Sequence, residues 1–346
     1  MFDHSDYDSH EGVHLFEDPD SGLRAIIAIH STRRGPGAGG CRMWNYPDGR
    51  AMLSDALRLS QGMSYKNAMA DLPLGGGKAV IWGDPKSQKS GALFRAFGRA
   101  VDSLNGRYWT AEDVGVSPSD MAYAAQETRF VAGLESGPAA SGDPSPVTAE
   151  GVFRGIEVCA KRALEVDSLV GVTVAVQGVG HVGGKVCRLL HQAGANLIIT
   201  DVHRASLEAV AQDTGARIVE PEDIYGVQAD LFSPNALGGV INSSTLEELK
   251  VKVIAGGANN QLSSADMGER LRDAGILYAP DYVINGGGII NVAAEISGDY
   301  SREWVAQKLD ALVATLEEVL DAAAATGDPT NSVADRIARA RIGRDT

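Results

Sequence analysis

Apolar residues recur in two rhythms along this chain, and their alternation predicts a layered α/β protein. Residues 23–30 form a near-continuous apolar run of strand length, closing in the turn-rich stretch Ser31 to Gly40, where repeated glycine removes side-chain obstruction. Met52, Leu53, Ala56, Leu57 and Leu59 fall at helical spacing within 51–62, a helix that delivers the chain to Lys66. A short apolar strand, 79–82, follows Lys78 directly. Residues 90–104 read as an amphipathic helix with Leu93, Phe94, Phe97, Ala100, Val101 and Leu104 on its buried side. The segment 108–115 ends a strand with two acids, Glu112 and Asp113. Ser117 and Pro118 then open another helix, serine as N-cap and proline in the first turn.

Gly133, Gly137, Pro138, Gly142, Pro144 and Pro146 crowd residues 133–146, the expected hinge. Beyond it a helix is predicted over 147–163, with Thr148 at its start. Strand–turn–helix units follow: a strand at 172–176, a glycine loop, a helix near 182–193 ending at Gly194, and a strand at 196–200 closing on Asp201. Further strands are read at 230–232, 251–255 and 276–279, and a pair of helices in 301–340. This rhythm predicts a doubly wound parallel sheet. The expected domains are 1–135, 136–325 and a C-terminal helix, 326–346, able to pack back on the first.

Composition narrows the class. A chain of 346 residues exceeds one compact core and suits two domains. With 44% hydrophobic and 22% charged residues it reads as an ordinary globular protein, and 41 glycines suit tight α/β turns. The formal net charge of −14 argues against nucleic acid, whose phosphates reward a basic surface. Cys41, Cys159 and Cys187 are too scattered for a disulfide framework or a zinc cluster, which points to a reducing compartment. The N-terminus shows no basic-then-apolar pattern, and no apolar run approaches the ~20 residues that cross a bilayer. A cytoplasmic location without membrane partners is expected, and no metal is called for.

Gly178-Val179-Gly180-His181-Val182-Gly183 follows a strand, opens a helix and has an acid at the end of the next strand, which is the context that gives a GxGxxG meaning. Gly178 allows the turn, Gly180 lets a pyrophosphate approach the backbone, and Gly183 lets helix pack on strand. The amides at His181 and Val182 then meet the phosphates. Asp201, eighteen residues past Gly183, would bind both ribose hydroxyls and repel a 2′-phosphate, favouring NAD over NADP. Arg204 tempers that preference, since it could turn to a phosphate, and Asp201 could instead serve only as a cap.

Lys66 and Lys78 lie twelve residues apart around Leu74-Gly75-Gly76-Gly77. A lysine in a loop without side-chain bulk can lose solvent and work as a base, although most lysines are simply surface residues. Asp113 alone would read as a turn carboxylate. The surrounding segments decide: Gly39-Gly40-Cys41-Arg42-Met43, Tyr65-Lys66-Asn67-Ala68, Leu72 to Lys78, Thr110 to Gly115, Pro144 to Thr148, Gly257-Ala258-Asn259-Asn260, Tyr278 to Asp281 and Asn285 to Gly288. In these segments, in order along essentially the whole chain, the sequence resembles the amino acid dehydrogenases acting on glutamate, leucine, phenylalanine and valine.

The resemblance implies two domains, an N-terminal substrate and oligomerisation domain and a Rossmann-type dinucleotide-binding domain, with a cleft between them, and a homo-oligomer assembled through the first. It implies that Lys66 holds the substrate carboxylate with help from the backbone at Gly39 and Gly40. Lys78 would be the catalytic base, Asp113 its acid/base partner, and Thr148 and Asn259 would face the nicotinamide and substrate. The side-chain pocket maps onto Ala38, Ala111, Ile289 and Val292, all apolar, so a glutamate side chain would lack a partner. NAD-dependent oxidative deamination of leucine or valine is expected, with phenylalanine next because Ala38 leaves room for a ring. A catalytically silent nucleotide-binding regulator is the alternative of another class. Retention of Lys66, Lys78, Asp113 and Asn259 together speaks against it.

Overall fold

Two apolar strands with different burial patterns are explained by their places in one sheet. Residues 12–18 alternate between half-buried and exposed, as an edge strand does, whereas 23–31 is buried almost throughout. The computed structural model describes residues 2–134, 143–298 and 301–344, so most of the expected hinge, 135–142, lies outside the described residues. The chain divides into two compact units: 1–142 with 289–306 and 338–346, and 143–288 with 307–337.

Along the first unit run β1 (Gly12–Asp18), β2 (Leu23–Ser31), β3 (Gly37–Ala38), β4 (Cys41–Trp44), α1 (Gly49–Met69), β5 (Gly75–Trp82), α2 (Gly91–Asp102), β6 (Tyr108–Trp109) and α3 (Pro118–Ala124). The sheet order is β1-β2-β5-β3-β6, with β4 also on β5. β1, β2 and β5 are antiparallel neighbours, while β3 and β4 run parallel to β5. The two faces of β2 divide by the period of a strand. Ile27 and Ile29 join Phe94, Phe97, Met43 and Ile81 in one core; Ile26 and Ala28 join Met52, Ala56 and Val80 in another. Each fully buried phenylalanine contributes about 2 kcal/mol by burial alone. Asp48 caps α1 through Ala51 N–H, Ser90 caps α2, and Ser117 forms a capping box with Asp120.

Two boundaries differ from the sequence expectation in ways that matter. The helix expected over 51–62 continues to Met69, so Lys66 sits on it rather than beyond it. The strand expected at 79–82 begins at Gly75, so Lys78 stands in a strand and not in a loop. Glycine normally weakens strands, but here its lack of a Cβ admits neighbouring backbone, and pairing to β2 and β3 outweighs propensity.

The second unit begins with α4 (Ser145–Leu164), β7 (Thr173–Gln177), α5 (His181–Gln192), β8 (Asn196–Thr200), α6 (Arg204–Thr214), β9 (Arg217–Ile218) and β10 (Leu231–Pro234). It continues through α7 (Ser243–Glu248), β11 (Val253–Ile254), α8 (Met267–Asp273), β12 (Leu277–Tyr278) and α9 (Asp281–Ile284). α10 (Gly287–Ile296), α11 (Arg302–Thr326) and α12 (Thr330–Arg341) each carry residues of both units. The sheet order is β12-β11-β10-β7-β8-β9 and every ladder is parallel. The doubly wound sheet read from the sequence is thus present. β7 is flanked by β8 on one side and β10 on the other, the reversal of strand order beside which such sheets bind ligands.

Candidate active site

In the first unit the site is built on glycines that let backbones touch. A Cβ on Gly75 would lie 1.9 Å from Ser31 O, on Gly76 2.1 Å from Ser64 N, and on Gly77 2.6 Å from Tyr108 Cδ2. Three elements therefore press on β5 just before Lys78. Gly39 and Gly40 meet the same demand, their Cβ positions falling 2.0 Å from Gly77 O and 2.3 Å from Glu112 O. Gly39 also donates its N–H to Trp109 O at 3.2 Å and accepts the Tyr108 hydroxyl at 2.6 Å.

Lys78 is buried, 5% exposed, and its Nζ lies 2.8 Å from Asp113 Oδ2. Arg42 Nε donates to that same oxygen at 3.1 Å, and Arg42 Nη1 donates to Asp55 Oδ2 at 3.1 Å. The Tyr46 hydroxyl completes the chain, donating to Asp55 Oδ2 at 2.6 Å. Burial alone would raise the Asp113 pKa, but Lys78 and then Arg42 outweigh it and hold the carboxyl at about 2. Burial, with Asp55 beside it, pushes the Tyr46 phenol well up, so it remains a donor. The neighbouring Cys41 thiol is pushed up by burial and is inert. Arg42 and Asp55, which extend this network, were not singled out from the sequence. Arg42 was quoted only as part of a motif, and nothing local marks a partner seventy-one residues away.

The depressed Asp113 pKa has a consequence for acid stability. A carboxyl lowered from 3.8 to about 2 contributes stability that is complete above pH ~4 and is lost as pH falls through about 2. The full contribution is about 2 kcal/mol, roughly half of it gone by pH 3. The gap in urea midpoint between the protein and Asp113→Asn should therefore narrow from pH 5 to pH 3. A constant gap would show that Asp113 is not held by these cations.

Lys66 is half-buried on α1 between two anchored neighbours. Asn67 Nδ2 donates to Gly75 O at 2.5 Å, and Ser64 abuts Gly76. Of the expected pocket residues, Ala38 and Ala111 are buried and Ile289 and Val292 half-buried. Ile289, Val292 and Glu295 fall on one face of α10 by their spacing. Glu295 Oε2 accepts the Gly133 N–H at 2.6 Å, and a Cβ on Gly133 would lie 3.8 Å from Ala111 Cβ. That face of the helix is thus tied to the chain beside Ala111.

In the second unit the fingerprint loop suits a dinucleotide on three counts. Gly178 has φ +91°, a conformation that favours glycine. A Cβ on Gly183 would lie 1.9 Å from Gly178 O, whereas one on Gly180 would meet nothing within 4 Å. α5 starts at His181 with no side-chain cap, leaving its first amides for a phosphate. Asp201 Oδ2 accepts Val179 N–H at 2.7 Å and Oδ1 accepts His203 N–H at 2.8 Å, so the acid braces the loop and does not cap α6. Arg204 is engaged by Glu208 at 2.7 Å. Thr148 donates to Pro144 O at 3.0 Å, and Asn259 Oδ1 accepts Asn285 Nδ2 at 2.8 Å. The run 285–288 connects the two, since a Cβ on Gly288 would lie 3.0 Å from Thr148 Oγ1. Asn285 and Asn235, which accepts Gly257 N–H at 2.8 Å, were not singled out from the sequence.

A parallel sheet whose strand order reverses beside a glycine turn and an uncapped helix start is the class of arrangement that binds a dinucleotide. Residues 10–130 match the family model described as Glu/Leu/Phe/Val dehydrogenase, dimerisation domain, and residues 197–343 match that of Glutamate/Leucine/Phenylalanine/Valine dehydrogenase. The chain belongs to this family and is an amino acid dehydrogenase, an oxidoreductase whose family implies a nicotinamide coenzyme, and its first domain is of the dimerisation type. It is 50% identical to the leucine dehydrogenase of Bacillus subtilis (strain 168), over 99% of this chain and 94% of that one. It is 46% identical to the phenylalanine dehydrogenase of Lysinibacillus sphaericus, over 95% of this chain and 87% of that one. The crystal structure of L-tryptophan dehydrogenase from Nostoc punctiforme superposes with a TM-score of 0.86 at 42% identity, covering 96% of each chain. No helix among the described residues is long and apolar enough to cross a membrane.

Proposed function

We propose that the chain catalyses the NAD-dependent, reversible oxidative deamination of an aliphatic L-amino acid, leucine or valine, to the 2-oxo acid and ammonia. The observation that carries this reading is the pair of buried Lys78 and half-buried Asp113, an acid–base couple already in hydrogen-bond contact. The nicotinamide coenzyme, when bound, accepts the hydride that leaves Cα. Gly178, Gly180, Gly183 and the amides opening α5 hold its pyrophosphate, Asp201 its ribose, and Thr148 and Asn259 its nicotinamide. Lys66 holds the substrate carboxylate. Lys78 acts as the base that takes a proton from the water attacking the substrate iminium, and Asp113 exchanges protons with the nitrogen as ammonia leaves. The 2.8 Å contact lets a proton pass between Lys78 and Asp113 without side-chain rearrangement. Arg42 keeps Asp113 a carboxylate between turnovers.

The apolar pocket residues Ala38, Ala111, Ile289 and Val292, with the likeness to leucine dehydrogenases, support an aliphatic side chain. Asp201 supports NAD, because its carboxylate would repel a 2′-phosphate, and Arg204 is paired with Glu208 at 2.7 Å. The test is NADH consumption with ammonia and 4-methyl-2-oxopentanoate, 3-methyl-2-oxobutanoate or phenylpyruvate, with NADPH in parallel. The two aliphatic acids should be reduced fastest, and NADPH should be at least about tenfold poorer in kcat/KM. Preference for phenylpyruvate would move the assignment to phenylalanine. Lys66→Ala is expected to raise KM for the 2-oxo acid about 100-fold, from about 2–3 kcal/mol of lost charge-assisted hydrogen bonding. KM for ketones without a carboxylate should barely change, and an equal rise in both would remove the anchoring role.

A further inference from the structure

The end of the chain belongs to the first unit and meets it around the turn of α1 that carries Lys66. Arg341 Nη1 donates to Ala68 O at 3.2 Å and Met69 O at 3.3 Å, carbonyls of the last turn of α1, where Ala68 O also accepts Asp71 N–H at 3.1 Å. Arg339 Nη1 donates to the Tyr65 hydroxyl and to Asp8 Oδ2, both at 3.1 Å. Arg344 Nη1 donates to Asp8 O at 2.5 Å and His30 Nε2 at 2.6 Å, while Nη2 reaches Ser9 O and His30 O.

His30 is wholly buried. If Nε2 receives the arginine proton, the ring's own proton is left at Nδ1, 2.7 Å from Ser64 Oγ. Burial, then Arg344 and His10, lowers the His30 pKa to about 3, so the ring is neutral at working pH. Asp8 Oδ2, 3.2 Å from the same Nε2, is held by Arg339 and by Gln61 Nε2 at 2.8 Å. Ser64 passes the restraint to β5, because a Cβ on Gly76 would lie 2.2 Å from its Oγ. Ser64, Tyr65, Ala68 and Met69 surround Lys66 in the sequence of α1, and the tail holds each of them directly or through His30. Charge-assisted hydrogen bonds are directional, so they set an orientation where apolar packing would only fill space.

We propose that Arg339, Arg341 and Arg344 form a positioning clamp for Lys66, with the C-terminal turn setting the angle at which α1 presents the lysine to the substrate carboxylate. The inference rests on the carboxylate-binding role proposed for Lys66. It separates the two substrates: the clamp governs affinity for the 2-oxo acid and not for the coenzyme.

The test compares full-length Arg344→Ala, Ser64→Ala, the double variant and Lys66→Ala in KM for 4-methyl-2-oxopentanoate and for NADH. Arg344→Ala and Ser64→Ala should each raise the oxo-acid KM about tenfold and leave the NADH KM within about twofold, as expected of a misplaced binding group. The double variant should show no more than the larger single effect, because both act through His30. Unchanged oxo-acid KM values, an NADH KM that rises in step, or additive effects would overturn the clamp. Ser64→Ala decides the matter alone if Arg344→Ala does not fold. If Lys66→Ala raises the oxo-acid KM while the other variants are silent, only the clamp fails. If Lys66→Ala leaves that KM unchanged, the anchoring role fails and the clamp with it.

Discussion

Replacing Lys78 with alanine is expected to lower kcat by about 10³- to 10⁴-fold, the upper range for loss of a general base. The Kd for NADH should stay within about twofold, because the fingerprint loop lies in the other unit and shares no residue with β5. Alanine removes two things at once, the proton acceptor and the cation beside Asp113 at 2.8 Å. Lys78→Arg separates them. A guanidinium keeps the ion pair with Asp113 but is never deprotonated near neutral pH, so this variant should fold normally and be about as inactive as alanine. Steady-state assays, coenzyme fluorescence and thermal melting on both variants check the set. Turnover by Lys78→Arg near that of the parent protein would show that position 78 supplies charge and not a base.

Gly76→Ala is expected to cost about 3 kcal/mol or more, a large value for one methyl group. Its Cβ would lie 2.1 Å from Ser64 N, 2.2 Å from Ser64 Oγ and 2.5 Å from Ser60 O, and two of these atoms are backbone of α1. Relief requires the helix to move away from β5, and the helix carries Lys66. A shift of about 1 Å at a binding group costs on the order of 100-fold in rate, so activity should fall even where the variant folds. Gly62→Ala, on the same helix, predicts the opposite sign. Its Cβ meets nothing within 4 Å, and alanine is favoured over glycine in a helix by about 0.8–1 kcal/mol. Thermal melting of the two variants side by side tests the argument. Equal melting points would mean that α1 and β5 are not in close backbone contact.

How far the sequence reaches is visible in particular residues. The fingerprint loop was legible because its requirements are local: a turn at positive φ, an open backbone and an uncapped helix start all lie within six residues. The parallel sheet followed from repeated strand–turn–helix periods, each of them again short-range. The pattern misplaced Lys78, because a glycine triplet reads as a loop until its neighbours are known. It also left Lys66 beyond a helix that continues past it, since pairing and packing set that boundary.

By itself the sequence determined the long helices and the central strands of the parallel sheet, the order of the units' motifs and the kinds of group available for chemistry. Only the tertiary structure decided which groups meet. Asp113 joins Lys78 and also Arg42, seventy-one residues away, and Asp8 is held by Arg344 across 336 residues. The physical reason is the range of the forces involved. Backbone preference and hydrophobic period act over a few residues and leave their mark in the chain itself. An ion pair or an arginine clamp acts over about 3 Å of space, and no spacing along the chain records it.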